Sequence, residues 1–477
     1  MPDPRRRPRA GQPRPRRPGG RGRIDPARGL AYDVLVAVRD QDAYTNLLLA
    51  SLLRERGITG RDAAFATELV SGTLRRRGTY DAVISASADR PLSKVDPGVL
   101  DALRLGAHQI LGMRVPTHAA VWTTVELVRG RIGHGPAGFV NAVLRKVAAH
   151  DLAGWVRRVA PDPERDPVGF VSVAHSHPRW VVEALAEALG DSASLEDLLS
   201  ADNAAPKVTL VARPGLASVE ELVEAGGTVS AQSPYAVELA SGDPGAVPAV
   251  AEGRAGVQDE GSQLVALALT RAEVQGRDEQ WLDMCAGPGG KSALLAALAA
   301  QRGAHVLASE RQAHRAGLVR RATAAAAAGL SGVITADGTV PAWGPGVFDR
   351  VLVDAPCSGL GALRRRPESR WRRTPEDLDV LVPLQERLLR SALDAVRPGG
   401  VVAYVTCSPV LAETSEVVAR VLADRDDVVL ENAASLFEGV RDLRPEEARL
   451  SGTVQLWPHR QGTDAMFFAL LRRRPER

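Results

Sequence analysis

Cys357 and Cys407 stand fifty residues apart, each just past an apolar, β-branched run. Cys357 lies in Val353–Gly359 (Val-Asp-Ala-Pro-Cys-Ser-Gly) and Cys407 in Tyr404–Pro409 (Tyr-Val-Thr-Cys-Ser-Pro). A single cysteine is most often a small buried hydrophobe. Two that follow strand ends point to thiol chemistry, because a thiolate is a strong nucleophile once its pKa falls below the usual value of about 8.5. Upstream, Leu282–Ser292 (Leu-Asp-Met-Cys-Ala-Gly-Pro-Gly-Gly-Lys-Ser) reads as a strand end, a glycine-rich turn and a helix start. Gly287, Gly289 and Gly290 let the backbone approach a ligand, and the first turn of the helix offers free N–H groups. The turn is not a Walker phosphate loop, since Cys285 stands where that spacing needs glycine. Nor is it the dinucleotide fingerprint, since Ser292 takes the place of the third glycine.

The other polar residues of interest also follow apolar runs. Glu310 comes about twenty residues after the turn, where a carboxylate can accept two hydrogen bonds from a ribose diol. Asp337 and Asp354 end the next two runs; Asp337 suits an adenine amino group. One acid at a strand end is more often a helix cap than a ligand. Four polar residues taken in order along one rim, beside a glycine turn, read better as a nucleoside site. Between the two cysteines run Arg364, Arg365, Arg366, Arg370, Trp371, Arg372 and Arg373. Such a stretch can grip a phosphate backbone and stack a base; the alternative is a solvated charge run.

These residues need a frame that brings strand ends together. Strands are expected at Gln280–Met284, Ala304–Ser309, Gly332–Ala336, Phe348–Asp354, Gly400–Cys407 and Met466–Leu471, with helices between most of them. Alternation of this kind predicts a doubly wound parallel sheet with ligands at the carboxyl ends of its strands. Met466–Leu471 is expected as an antiparallel strand at an edge. Together with the apolar helix introduced by Gly256–Gln263, this α/β Rossmann-like domain is placed at 256–477.

Ahead of it, residues 24–150 carry a helical period throughout: Leu30, Val34, Leu35 and Val38; Ala66, Leu69, Val70 and Leu74; Leu100, Leu103, Ala107, Ile110 and Leu111; Val140, Val143, Leu144 and Val147. An all-α bundle follows, in which His108, His118 and His134 are isolated. Residues 151–255 are proline-rich and mixed, with a helix opened by Ser176–Trp180, a strand at Lys207–Ala212 and a short helix at Val219–Ala225; a small α+β connector is expected. Residues 1–23 hold nine arginines against Asp3 and little to bury, so disorder is expected, with non-specific RNA attachment as one use.

At 477 residues the chain is too long for one ordinary core. Its net charge is +3, yet beyond residue 23 it carries 51 basic against 56 acidic residues, so a nucleic-acid role must rest on local patches. The third cysteine, Cys285, adds neither metal-ligand spacing nor a disulfide framework. No run approaches 18 apolar residues and no apolar signal region opens the chain, so a cytoplasmic protein is expected. Nothing in the pattern asks for a metal, a membrane or a second copy, and a monomer is expected.

The pairing of Asp354-Ala-Pro-Cys357 with Thr406-Cys-Ser408, behind the glycine turn, resembles the RNA 5-methylcytosine methyltransferases that use S-adenosylmethionine. The front end resembles the RNA-binding NusB fold through Arg28–Leu35, Glu68–Arg76 and Phe139–Lys146. Together they resemble the bacterial methyltransferases of 16S ribosomal RNA over about residues 24–477. The resemblance implies that Cys285, Ala286, Gly287, Pro288, Gly289, Gly290, Lys291, Glu310, Asp337 and Asp354 bind S-adenosylmethionine, and that Lys291 and Asp354 also face the base. It implies that Cys407 adds to C6 of an unstacked cytosine, that Asp354, partly protonated, hydrogen-bonds near N3, and that Cys357 helps remove the C5 proton or release the product. The chain departs from the family pattern at Thr414, where asparagine is usual after Glu413, and at Gly287 and Ser292, where alanine and threonine are. Other readings stay open. In DNA cytosine methyltransferases a Pro-Cys motif carries the nucleophile, which would promote Cys357. The other two are a tRNA as substrate and a non-catalytic role in assembly or antitermination.

Overall fold

The computed structural model describes residues 24–475 apart from Asp42 and Ser241; the stretch 1–23, expected to be disordered, lies outside them. The described chain opens with helices Pro26–Asp40, Thr45–Glu55, Gly60–Arg75, Arg77–Ser87, Pro97–Leu111, Thr117–Arg131 and Ala137–Val147. Two of them start on an aspartate followed by proline. Asp25 accepts from Arg28 N–H, and Asp96 from the N–H groups of Gly98 and Val99, satisfying donors that a helix start leaves unpaired. Leu30, Val34, Val38, Leu69, Val70, Leu103, Ala107, Val140, Val143, Leu144 and Val147 meet in one buried core. Each such side chain taken out of water contributes roughly 1.5–3 kcal/mol before chain entropy is subtracted. His108 is a core histidine, its Nδ1 2.9 Å from Tyr80 Oη.

Helices Leu152–Val159, Pro167–His175, Arg179–Leu189 and Leu195–Asp202 follow. Val171, Val181, Leu185 and Leu198 pack with Leu360, Leu363, Val410 and Trp457 from the catalytic half. Next come β1 (Val208–Ala212), β2 (Gly227–Val229), β3 (Ala236–Leu239) and β4 (Ala255–Val257), an antiparallel sheet in the order β2-β3-β1-β4, of which the sequence had revealed only β1. Helix Glu260–Arg271 leads into the large sheet.

That sheet contains β5 (Gln280–Asp283), β6 (His305–Glu310), β7 (Leu330–Thr335), β8 (Phe348–Asp354), β9 (Val396–Thr406), β10 (Val428–Glu431), β11 (Val454–Gln455) and β12 (Phe467–Arg473). The order is β10-β12-β9-β8-β5-β6-β7, with β11 on β12. β7, β6, β5, β8 and β9 are parallel. Val351, Leu352, Val353, Val401, Val402, Ala403, Tyr404 and Val405 are all buried, as strands covered on both faces must be. The chain leaves β5 toward β6 and β7, then returns to the other side of β5 as β8. The topological switch therefore falls between β5 and β8, where ligands bind in sheets of this kind. β12 is antiparallel, as expected, but not at the edge: it pairs with β9 on one side and β10 on the other. β10 is too short, and too close to the charged run before it, to stand out in the sequence. Among the described residues no helix is long and apolar enough to cross a membrane.

Candidate active site

The carboxyl ends of the parallel strands meet at the switch point. β5 runs into the glycine turn, and helix Gly290–Ala300 starts from it. Gly289 is left-handed at φ 111°, and a Cβ there would sit 2.7 Å from Ala322 Cβ. A Cβ on Gly287 would come within 2.1 Å of Glu310 Oε2, so alanine at 287 would have to displace that carboxylate. Glu310, at the end of β6, accepts from Gly287 N–H at 3.1 Å and Gln312 N–H at 2.9 Å; Arg315 donates to Gly287 O at 2.8 Å. Asp337 lies two residues past β7 and accepts from the Thr339 N–H and hydroxyl. It turns its own loop, and those bonds lower its carboxyl pKa. Lys291 Nζ donates to Asp354 Oδ2 at 2.8 Å across the switch point. Burial opposes the ammonium, but Asp354 overcomes it and raises the Lys291 pKa. In this pair Lys291 donates and Asp354 accepts.

The two thiols come together in the same rim. Cys357 Sγ and Cys407 Sγ are 3.4 Å apart. They are not equivalent. The hydrogen bond with Cys357 lowers the Cys407 pKa against burial and the charge of Asp354, with Lys291 and Arg366 helping. The same bond, with burial second, raises Cys357 well above the usual thiol range. Either sulfur could donate in this contact; its effect is to favour a thiolate on Cys407 over one on Cys357. Burial, then the carboxylates Asp283, Asp354 and Glu310, keep Cys285 a thiol.

Two important residues were not singled out in the sequence as site residues. Glu413, fully buried, accepts from Ser358 N–H at 2.7 Å, Ser358 Oγ at 2.5 Å, Ser408 Oγ at 2.6 Å and Gln385 Nε2 at 3.1 Å. It ties the residue after one cysteine to the residue after the other. The sequence marked it only as the glutamate of the family's Glu-Asn pair, five residues beyond Ser408. Thr414, where the family pattern has asparagine, is buried and donates to Val410 O. The second is Asp283, the last residue of β5, which accepts from Ser292 Oγ at 2.6 Å. Burial pushes its carboxyl up to about 7. The folded chain then keeps a proton that the unfolded chain gives up near pH 4, so this contribution to stability is present in acid and is lost as pH rises through about 7. Asp283→Asn should remove the effect. The melting temperature of the wild type minus that of the variant should fall between pH 5 and pH 8; an unchanged difference would rule this out.

The arginine run is where the structure corrects the sequence most. Arg364 donates to Gly462 O and pairs with Asp464 and Asp259; Arg365 pairs with the same two aspartates. Arg370 is fully buried and donates to Asn203 Oδ1 and to the Ser176 and Asp202 carbonyls. Trp371 Nε1 donates to Leu74 O, and Arg372 to the Val38 and Ala43 carbonyls. Arg370, Trp371 and Arg372 fasten the connector and the helical domain to the catalytic domain, whereas Arg364 and Arg365 pair with aspartates within it. The five are neither a phosphate grip nor a solvated run, because their partners lie one to three hundred residues away and remove them from water. Arg373 donates to Ser358 O, bracing the Cys357 loop. Arg366 alone of the seven is exposed.

The residues present fit S-adenosylmethionine. The turn is a cradle that side chains would fill, Glu310 and Asp337 are acceptors suited to a ribose and an amino group, and the buried Gln258 Oε1 has no partner beside Gly290. Comparisons with known proteins agree with this chemistry. A family model described as 16S rRNA methyltransferase RsmB/F matches residues 272–472, and the NusB family model matches 25–149. A Mycobacterium tuberculosis protein whose name gives a methyltransferase without a substrate is 53% identical over 462 residues, covering 96% of this chain and 99% of that one. Ribosomal RNA small subunit methyltransferase B of Xanthomonas campestris pv. campestris is 32% identical over 458 residues, covering 92% and 95%. The crystal structure of PH0851 shares the fold, with a TM-score of 0.78 at 21% identity over 94% of this chain and 99% of that one.

Proposed function

Because the chain belongs to the 16S rRNA methyltransferase RsmB/F family, with a NusB-family domain in front, we propose that it methylates C5 of a cytosine in 16S ribosomal RNA through a covalent bond to Cys407. The observation that supports this most is the polarised thiol pair, 3.4 Å apart, beside the glycine turn. S-adenosylmethionine, held by Cys285–Lys291, Glu310, Asp337 and Asp354, supplies an electrophilic methyl group. Cys407 as thiolate adds to C6 of the unstacked base, forming an S–C6 bond and shifting the electron pair of the C5–C6 bond toward C5 and N3. Lys291 donates a hydrogen bond, or its proton, to the pyrimidine edge as negative charge develops there, while Asp354 accepts from the exocyclic amine. After C5 has gained the methyl group, the C5 proton must leave and the S–C6 bond must break. The bond electrons from C5–H re-form the C5–C6 double bond as sulfur departs as the Cys407 thiolate. Cys357, a thiol against the departing sulfur, relays the proton: it passes its own to the released Cys407 thiolate and takes the C5 proton in exchange.

The reading is tested by supplying labelled S-adenosylmethionine and unmodified 16S RNA to the purified protein and digesting the RNA to nucleosides. Label should travel with 5-methylcytidine. Label on an amino-methylated cytidine, or none in RNA, would reject it. Glu310→Ala should weaken S-adenosylmethionine binding by about tenfold or more, the worth of a charge-assisted hydrogen bond. Titration calorimetry measures this; unaltered affinity would move the ribose contact elsewhere.

A further inference from the structure

The helical domain places one aromatic side chain against an arginine of the catalytic domain. Tyr44, in the loop before helix Thr45–Glu55, is 52% exposed although its neighbours in the chain are pinned. Ala43 O accepts from Arg372 at 2.6 Å, and Thr45 N–H donates to Glu368 Oε1 at 3.2 Å. Both partners belong to the catalytic domain. The backbone is therefore held on each side of Tyr44 while about half of the residue's surface stays open to solvent. The guanidinium of Arg366 lies over the ring, 5.3 Å from its centroid. Unlike Arg364 and Arg365, Arg366 pairs with no carboxylate among the described residues. It is also tied to the reacting sulfur's strand: Arg366 N–H donates to Ala362 O at 2.9 Å, and the preceding Gly361 N–H donates to Cys407 O at 2.9 Å. From Cys407 to Tyr44 the contacts are continuous.

We propose that Tyr44 and Arg366 form a stacking platform for a nucleobase flanking the cytosine that reaches Cys407, so that the NusB-like domain contributes directly to the RNA-binding site. The proposal rests on the methyltransferase reading above. A flipped base leaves its neighbours unstacked, and single-stranded RNA recovers stacking on aromatic rings and on guanidinium planes. A pinned backbone presents the ring at little entropic cost. A free cation above it is available to the adjoining phosphate.

The test uses the full chain, unmodified 16S RNA made by transcription, and S-adenosylhomocysteine to prevent turnover during binding. Tyr44→Ala should weaken RNA binding by about tenfold, the typical worth of one stacked base. Tyr44→Phe should stay within about twofold of wild type, since it keeps the ring. S-adenosylhomocysteine affinity and melting temperature should be unchanged in both. Arg366→Ala should reduce the salt dependence of RNA binding by about one counterion, while Tyr44→Ala should leave it alone. Tyr44→Ala with wild-type RNA affinity would overturn the platform, and so would a loss of cofactor-product affinity in parallel with RNA. If the wild type binds RNA without methylating it, the functional reading fails while the binding comparison still judges the platform.

Discussion

Cys407→Ala should lower methyl transfer by about 10³-fold or more and leave no RNA-linked protein, because the group that forms the S–C6 bond is gone. Cys357→Ala should also be slow, but with the opposite product. It should accumulate protein covalently bound to RNA, seen as a retarded band on a denaturing gel that collapses with ribonuclease. The structure explains why the two should differ. The contact between the sulfurs, with burial, raises the Cys357 pKa, whereas the same contact, with Lys291 and Arg366, lowers that of Cys407. Removing Cys357 leaves the nucleophile but takes away the proton-bearing group in contact with it. Removing Cys407 takes away the larger cause of the raised Cys357 pKa but leaves burial and Glu413, which still favour the thiol over the nucleophilic thiolate. An adduct from Cys407→Ala alone would reverse the assignment and favour the DNA-type order. No adduct from either would reject the covalent route.

Glu413→Ala should be the most damaging change away from the reacting atoms. The carboxylate is the common acceptor for Ser358 N–H, Ser358 Oγ, Ser408 Oγ and Gln385 Nε2, and the Tyr404 hydroxyl donates to its backbone carbonyl. Alanine would keep the backbone acceptor of Tyr404 but take the carboxylate away from the other four donors in a dry interior. Each buried donor left unpaired costs about 1–3 kcal/mol, and because the loops would relax, a few kcal/mol in total is expected. The chemical consequence follows from the same bonds. The loops that bring Cys357 and Cys407 to 3.4 Å are clamped at the residue after each cysteine, alongside the Arg373–Ser358 and Gly361–Cys407 bonds. A displacement of about 1 Å in such a pair costs about 10²-fold in rate. Glu413→Gln should recover much of the stability, since the serine hydroxyls can rotate to accept from its amide. Melting temperature and adduct formation by Glu413→Ala in the Cys357→Ala background test both parts. Near-wild-type values for both would show that something else holds the loops.

The chain's local patterns determined a great deal. Apolar period identified the helices of the front domain, because one face of each must be buried whatever it packs against. The alternation of strands and helices implied a parallel sheet, and in such a sheet strand ends share a rim. Glu310, Asp354 and Cys407 could therefore be grouped from one-dimensional order alone. What periodicity cannot carry is a contact between distant segments. The sheet order, with β8 returning beside β5, decides that Lys291 reaches Asp354 and that the two thiols touch. Glu413 carries the same acid as dozens of solvated positions; only the meeting of two loops makes it a clamp. The arginine run shows the limit most clearly. Charge density in sequence counts what water or RNA can see only if the side chains stay outside, and Asp202, Asn203, Asp259 and Asp464, together with carbonyls of the helical domain, draw most of these inward. Burial is a property of the folded neighbourhood, so composition could nominate those arginines but only the tertiary structure could assign them partners.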